Sequence, residues 1–351
     1  MPALYYLNSL FEYEIAHFPN LYQPSKLEIN YASALSHLFW LLSSPEDQVF
    51  LPYQVDESLA SEWKKKGLQF GEVYAGSFQP DSLILWGQNL NWKQNRWEHS
   101  KEKTESARLY NSKFRQAKYK LNLQIPGILP IFHTEMLKDE LLYVQKKEFS
   151  FSGKGNRLRK GSDWKKENPE TDSVWEEWRE HRTLDFSCIA EKKGSDMQIL
   201  GYTRMLNSPR GTYRGAILSS PESLRIPANY SEQVEKFIFG FAKSYEGPFS
   251  VDSFWFQDER EENLQYISEV NFRYSMGRIL LKLQEKLKED SSAILLLNPE
   301  EARELEKTFS LLQVCPFFQI SRVKTAYFFI GLKKHGEIQL LQNLKNLSYN
   351  S

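Results

Sequence analysis

Cysteine is nearly missing from this chain. Only Cys188 and Cys315 occur among 351 residues, which argues against a disulfide framework and fits a reducing compartment. Neither has the spacing of a metal site, the six histidines are scattered, and no His-x-x-x-His pair occurs, so no thiolate- or imidazole-held metal is indicated. Long hydrophobic runs are also missing. Nothing approaches the ~20 apolar residues of a membrane span, and the opening MPALYYLNSLFEYEIAHF has neither the basic start nor the long apolar core of a signal peptide. A cytoplasmic protein with no membrane partner is expected. Net charge is zero, with 45 basic against 45 acidic residues, so no global field draws nucleic acid, and no recognition motif for it appears. The phosphate loop Gly-x-x-x-x-Gly-Lys-Ser/Thr and the Gly-rich dinucleotide fingerprint are both absent. What remains is a chain 41% hydrophobic and 26% charged, of globular composition and long enough for two or three domains.

The most informative stretch is Leu264 to Gly277, LQYISEVNFRYSMG. It reads as a strand running into a turn. Alternation puts Leu264, Tyr266, Val270 and Phe272, together with Ser268, on a core face, and Ile267, Glu269, Asn271 and Arg273 on the other. That second face offers a carboxylate, an amide oxygen and a guanidinium. Hard oxygen donors suit Mg²⁺, and arginine suits phosphate. An amphipathic surface strand with ordinary charges is the alternative. Upstream, Pro248 to Phe256 is also strand-like, and Gln257 to Asn263 suits a hairpin loop. A hairpin symmetric about Arg260 and Glu261 puts Asp252 opposite Glu269, where the two strands' acids converge on one cation. A bulge would break that register.

Residues 1–105 read as a small α/β unit with a mostly parallel sheet. Helices are expected from Tyr31 to Leu42 and from Asp56 to Lys66, the second with Asp56 as its cap. Strands are expected at Gln48 to Pro52, Phe70 to Tyr74 and Ser82 to Trp86. The polar run Trp97 to Arg108 marks a boundary. A helix follows from Phe114 to Leu121, with Asn111 as N-cap and Lys113 in the first turn. A cation there opposes the helix dipole, and a bound anion would compensate it; a solvated surface lysine is the alternative. Leu141 to Lys146 is strand-like and leads to Ser150, Ser152, Gly153 and Gly155. Lysine before small residues suits phosphate oxygens, or the loop is flexible without a ligand. Leu158 to Asp172 is charged and expected to be mobile. Strands are expected at Ser173 to Trp178 and Leu184 to Ala190, then two bearing Arg204 and Arg214. Tyr230 to Tyr245 and Met276 to Leu287 read as helices packed on a core. In 291–351 a strand, a helix opened by Asn298-Pro299 and a further strand carry no chemistry of their own.

Taken in order over about 106–285, these residues resemble the ATP-grasp superfamily of carboxylate ligases. The run Glu-Val-Asn-Phe-Arg-Tyr-Ser-Met-Gly-Arg is the most specific piece, and resembles an uncharacterised or biosynthetic branch of it. The resemblance implies an α/β and α+β fold: an α/β domain over 1–105, a small subdomain with a Gly-rich flap over 106–180, a large subdomain with the metal site over 181–290, and an α/β extension over 291–351. It implies that Lys113 and Lys146 meet the α- and β-phosphates of ATP, under a flap of Ser150, Ser152, Gly153 and Gly155. Glu176 or Glu177, with Trp178, would form the adenine hinge, and Asp185 would meet the ribose. Asp252, Glu269 and Asn271 would hold Mg²⁺, for which Mn²⁺ can substitute. Arg273 first, then Arg204, Arg214 and Arg278, would meet the γ-phosphate, the acylphosphate or the substrate carboxylate. Phe149 and Phe151 depart from the small residues usual in the flap. The implied reaction activates a small-molecule or peptide carboxylate for an amine or, less often, a thiol. A non-catalytic nucleotide-binding regulator or scaffold on the same fold is the alternative. Oligomeric state, a homodimer included, is left open.

Overall fold

The computed structural model describes residues 2–51, 56–76, 80–93, 96–149, 156–167, 173–179, 181–208, 212–258, 261–320, 323–333 and 336–346. The N-terminal unit is a four-stranded sheet in the order Glu72–Val73, Gln48–Val49, Ala3–Tyr6, Ser82–Leu85, parallel throughout. Its central strand, Ala3–Tyr6, was not anticipated. Two helices form where their caps dictate. Ser25 and Glu28 close a capping box on Lys26–Leu42, and Asp56 accepts from Ser58 and Leu59 at the start of Glu57–Lys65, supplying orphan first-turn N–H groups with acceptors.

The polar run Trp97 to Arg108, read as a boundary, is ordered. Arg96–His99 pairs with Leu90–Lys93, and Lys101–Asn111 is a helix begun by Ser100. Asn111 ends that helix. The cap of Lys113–Asn122 is Ser112, whose Oγ accepts from Arg115 N–H at 3.2 Å. Asn111 fails as a cap because its side chain is used elsewhere: its oxygen accepts from Phe272 N–H at 3.0 Å.

A three-stranded antiparallel sheet follows, Leu142–Lys146 flanked by Arg157–Lys160 and Val174–Glu177. The charged run beginning at Leu158, expected to be mobile, is strand and then a short helix, Gly161–Trp164, as far as it is described. Trp164 explains this. It is 1% exposed and packs with Trp175, Tyr143 and Leu137 as a small core, while the guanidiniums of Arg157 and Arg159 lie over its ring.

The rest of the chain builds one nine-stranded antiparallel sheet. Its order starts Glu261–Asn271, Gly247–Asp258, Arg182–Lys193, Asp196–Asn207, Tyr213–Leu218, then continues through Ser291–Leu297 and Val323–Leu332, which Leu311–Gln313 and Phe318–Ile320 both join. The strands of the final segment therefore extend the same sheet as the candidate metal strand. One core lies between the helix Tyr230–Phe241 and the hairpin strands. A larger core joins the N-terminal unit to the helix Met276–Leu287 and the C-terminal strands. Trp63 Nε1 donates to Gln313 O at 2.8 Å, and Lys286 Nζ donates to the carbonyls of Leu41 and Ser43 at 2.7 and 2.6 Å, satisfying the C-terminus of the helix Lys26–Leu42. No described helix is long and apolar enough to cross a membrane.

Trp63 is fully buried in the core that unites the first and last parts of the chain. Trp63→Ala is expected to cost about 3–5 kcal/mol, read as a lower urea midpoint. A change under about 1 kcal/mol would show that this interface adds little to stability.

Candidate active site

The hairpin carries a bulge. Asp252 does pair with Glu269, followed by Val251 with Val270 and Ser250 with Asn271, but the outer ladder runs Phe254 with Gln265 to Asp258 with Glu261. The outer ladder is therefore centred earlier than symmetry about Arg260 and Glu261 requires, and Arg260 itself lies outside the described residues. Between the two ladders Ser253 faces Tyr266, Ile267 and Ser268. Its hydroxyl fills the gap, donating to Tyr266 O at 2.7 Å. The extra residues restore the expected pairing and also switch faces. Ile267, expected on the site face, is buried in the core with Val270 and Phe272. Ser268, expected in the core, reaches the cavity beside Glu269.

Strand Glu261–Asn271 ends the sheet, and its free edge is closed by the helix Lys113–Asn122. Three polar side chains of that helix, Lys113, Gln116 and Lys120, are buried, at the spacing that shares one face. Gln116 imitates a neighbouring strand: Nε2 donates to Val270 O at 2.7 Å and Oε1 accepts from Val270 N–H at 2.9 Å. Lys120 Nζ donates to Ile267 O at 2.9 Å. Paired this way, the edge cannot recruit another strand. Lys113 lies at the first helical position and its Nζ pairs with Glu269 Oε2 at 3.1 Å.

Across the cleft, Lys146 ends its strand and meets Glu176 of the adjacent strand at 2.5 Å, while Lys120 approaches the other oxygen of Glu176 at 3.4 Å. Glu176 is 2% exposed. Burial alone would raise its pKa, but Lys146 and Lys120 outweigh burial and hold it at about 2. Burial lowers the pKa of Lys120, against the pull of Glu176.

These elements enclose a cavity of about 550 Å³. Lys113, Lys146, Trp178, Asp185, Asp252, Glu269, Asn271 and Arg273 all line it. Glu176 does not; it lies beneath, under the lysines. Glu177 pairs with Arg179 at 3.1 Å and is also outside the lining. Asp185 accepts from Asn207 Nδ2 at 3.0 Å and faces Arg182 at 3.6 Å. Arg182 lies over Trp178, 4.9 Å from the ring centre, and over Phe254 at 3.8 Å. Arg204, Arg214 and Arg278 are not brought to the cavity. They are held by Glu337, Glu301 and Glu191 at 2.9, 2.7 and 3.0 Å. For Arg204 the reason is alternation, since Thr203 and Met205 on either side are the residues that line the cavity. Ser150, Ser152, Gly153 and Gly155 lie outside the described residues.

Arg273 is held on three sides. Nε pairs with Glu12, Nη1 donates to Tyr274 O at 2.8 Å, and Nη2 to Asn271 Oδ1 at 3.3 Å. Sequence reasoning missed Glu12, Asn207, Arg182 and Lys120. Only Lys120 left a signal, as a polar residue in register with Lys113 and Gln116. The others come from distant parts of the chain.

Asp252, Glu269 and Asn271 present two carboxylates and an amide on adjacent ladder positions. The pKa of Asp252 is pushed up to about 6 by burial and by the charge of Glu269, and Asn271 Nδ2 donates to its Oδ2 at 3.1 Å. Crowded carboxylates with an amide oxygen are the donor set of a hard divalent cation, so the residues fit Mg²⁺ or Mn²⁺. Among the described residues no three His, Cys, Asp or Glu cluster as a metal site; here the third donor is the amide.

Solved structures share this architecture. N5-carboxyaminoimidazole synthetase from Staphylococcus aureus, complexed with ADP, superposes with a TM-score of 0.59 at 12% identity, over 98% of this chain and 96% of that one. N5-carboxyaminoimidazole ribonucleotide synthetase from Thermus thermophilus gives 0.54 at 12% identity over 100% and 98%. Phosphoribosylamine–glycine ligase from Thermotoga maritima gives 0.52 at 11% identity over 99% and 96%. These are ATP-grasp enzymes. This chain has the ATP-grasp fold. No protein-family profile and no curated sequence matches it. The ATP-grasp fold explains the two facing sheets with a cavity between them. The identities are too low to transfer a substrate.

Glu176 supplies a pH prediction. Its folded pKa lies below the carboxylate's usual 4.5, so its stabilising charge is complete above about pH 5 and is lost as pH falls toward 2. Wild type is expected to lose more stability across that window than Glu176→Gln, which is itself about 3–5 kcal/mol less stable at pH 7 because two buried ammoniums lose their counter-charge. Parallel denaturation curves for the two proteins from pH 7 to 3 would contradict the assignment.

Proposed function

We propose that this protein is an ATP-dependent ligase that activates a carboxylate as an acylphosphate, with MgATP held between the three-stranded and nine-stranded sheets. The observation that carries this reading is the convergence, in one cavity, of Lys146 from the small sheet and Lys113 from the helix at the large sheet's edge with the Asp252, Glu269, Asn271 and Arg273 face of the large sheet. In this reading Lys113 and Lys146 hold the α- and β-phosphates as charged donors. Trp178 lies against the adenine and Asp185 accepts from the ribose hydroxyls. Asp252, Glu269 and Asn271 would hold Mg²⁺ or Mn²⁺, which would supply positive charge against the phosphates.

The chemistry requires positioning and charge more than a protein nucleophile. A carboxylate oxygen attacks the γ-phosphorus in line. The bond from that phosphorus to the β-bridging oxygen breaks, and its electron pair leaves with ADP. An amine then adds to the acyl carbon, loses a proton, and expels phosphate. Arg273 is suited to stabilise the transferring phosphoryl group or the carboxylate, because its guanidinium keeps an N–H on each terminal nitrogen beyond the bonds it already makes. The neighbours' nucleotide complexes support the ATP end of this reading and say nothing about the acceptor.

Two outcomes are expected. The double variant Glu269→Gln with Asn271→Ala should abolish Mg²⁺-dependent ADP formation and leave the circular dichroism spectrum unchanged; full turnover would remove the metal assignment. Arg273→Ala should lower the acylphosphate-forming rate by about 10²–10³-fold with little change in ATP affinity. The direct test of the ligase is positional isotope exchange in labelled ATP with a mixture of carboxylates. Scrambling of the β,γ-bridge oxygen shows reversible acylphosphate formation. Its absence across broad mixtures would favour a nucleotide-binding regulator.

A further inference from the structure

The stretch of strand that carries Glu269 and Asn271 is only briefly supported from inside its own sheet. Regular pairing with Gly247–Asp258 resumes at Asp252 opposite Glu269, passes through Val251 with Val270 and Ser250 with Asn271, and there the strand ends. Just before it lies the bulge at Ser253, a feature that bends and twists a strand. The outer edge is held by side chains instead, and they meet it at the residues flanking the two candidate donors. Val270 stands between Glu269 and Asn271. Its N–H donates to Gln116 Oε1 at 2.9 Å, and its carbonyl accepts from Gln116 Nε2 at 2.7 Å. Gln116 Nε2 is anchored in turn on Tyr110 O at 2.8 Å. One residue beyond Asn271, Phe272 N–H donates to Asn111 Oδ1 at 3.0 Å, while Asn111 Nδ2 donates to Ala107 O at 3.0 Å. The side chains of Val270 and Phe272 are fixed in the core. The backbone from 269 to 272 is thus held by the inner ladder, by the core and by two amides.

We propose that Gln116, seconded by Asn111, is a positioning residue that sets which divalent cation the Glu269 and Asn271 face accepts, favouring a small cation of rigid geometry over Ca²⁺. This rests on the metal reading above. Gln116 is 3% exposed and grips both peptide groups of the residue between the donors. Those peptide planes fix the directions in which the side chains of Glu269 and Asn271 leave the backbone. Direction matters unequally to different ions. Mg²⁺ demands a near-ideal octahedron with oxygens at about 2.0–2.1 Å, and Ca²⁺ takes six to eight oxygens at roughly 2.3–2.6 Å in a flexible arrangement. Mn²⁺ is an octahedral, oxygen-seeking ion like Mg²⁺. Donors on a stiff strand serve the exacting ion. Donors on a loosened strand lose that advantage and still suit the tolerant one.

The competing role for these amides is edge protection alone. It requires that the outward N–H and C=O groups be paired, because leaving them buried without partners is costly, but it places no demand on cation size. The two roles therefore separate in one quantity, the ratio of Mg²⁺ to Ca²⁺ affinity. A lost structural contact lowers stability. A lost positioning contact also changes that ratio in the protein that remains folded.

Metal binding to the full chain tests this without requiring turnover. ADP is kept below the chain's concentration, free Mn²⁺ is read by electron paramagnetic resonance, and Mg²⁺ and Ca²⁺ are measured by displacement of bound Mn²⁺. Wild type is expected to bind Mg²⁺ more tightly than Ca²⁺; the reverse order would overturn the proposal. Gln116→Met, similar in length and unable to make these hydrogen bonds, should weaken Mn²⁺ and Mg²⁺ by about 10- to 100-fold and Ca²⁺ by much less, so that the Mg²⁺ to Ca²⁺ ratio falls. Asn111→Ala should move the ratio in the same direction by a smaller factor, and it decides the matter if Gln116→Met does not fold. Thermal melts confirm that each variant is folded at the temperature of the measurement. An unchanged ratio, whether all three cations weaken together or none does, would overturn the proposal and leave edge protection. Glu269→Gln with Asn271→Ala is the reference. If it binds Mn²⁺ as wild type does, the metal reading falls and the positioning role with it. If it loses Mn²⁺ while the Gln116 and Asn111 variants keep the wild-type ratio, the positioning role alone falls.

Discussion

The arrangement depends on one buried network, Lys120–Glu176–Lys146. Two ammoniums and one carboxylate are taken out of water at the seam between the three-stranded sheet and the edge of the nine-stranded sheet. Charges in such a place are tolerable only when paired and hydrogen-bonded. Here Ile267 O and Ser268 Oγ complete the set at 2.9 and 3.3 Å. The network ties a helix, a small-sheet strand pair and the strand Glu261–Asn271 to a common geometry. It also sets a charge excess: two positive groups share one negative one. Of that network only Lys146 lines the cavity, where it stands with Lys113 opposite the acids Asp252 and Glu269. The two lysines there support the proposed phosphate end of the cleft without appeal to any likeness to other proteins.

The bulge in the hairpin is the second constraint. Without it, strict alternation would send Ser268 into the core and Ile267 into the cavity. With Ser253 facing three residues, the strand presents Ser268 and Glu269 in succession to the cleft, then resumes alternation so that Asn271 follows on the same face. The proposed site uses Lys146 supported from the large sheet and the candidate metal donors Glu269 and Asn271 further along. A regular strand could not supply both.

Much of this was legible in the sequence because it is local. The capping residues Asp56 and Asn298 act within a few positions of themselves, and hydrophobic period distinguishes Met276–Leu287 from Val323–Leu332. The pairing of Asp252 with Glu269 was reached by a symmetric hairpin that does not exist; the bulge compensated for the misplaced turn. What was not legible is long-range. Asn111 looked like a cap until the backbone of Phe272 claimed its oxygen. The run from Leu158 looked solvated because its arginines are charged, yet they stack on Trp164. Glu301 and Glu337 looked inert, but they hold Arg214 and Arg204 away from the cleft. Glu12 lies in an unremarkable opening segment and becomes part of the site only because the N-terminal unit packs against the large sheet.

The central claim is that nucleotide and metal meet at the Asp252, Glu269 and Asn271 face above the two lysines. Anomalous diffraction from crystals grown with ADP and Mn²⁺ tests it most directly. The account predicts a manganese peak within coordinating distance of those three side chains, with the diphosphate between it and Lys113 and Lys146. A nucleotide bound elsewhere, or manganese on other residues while this face stays empty, would contradict it.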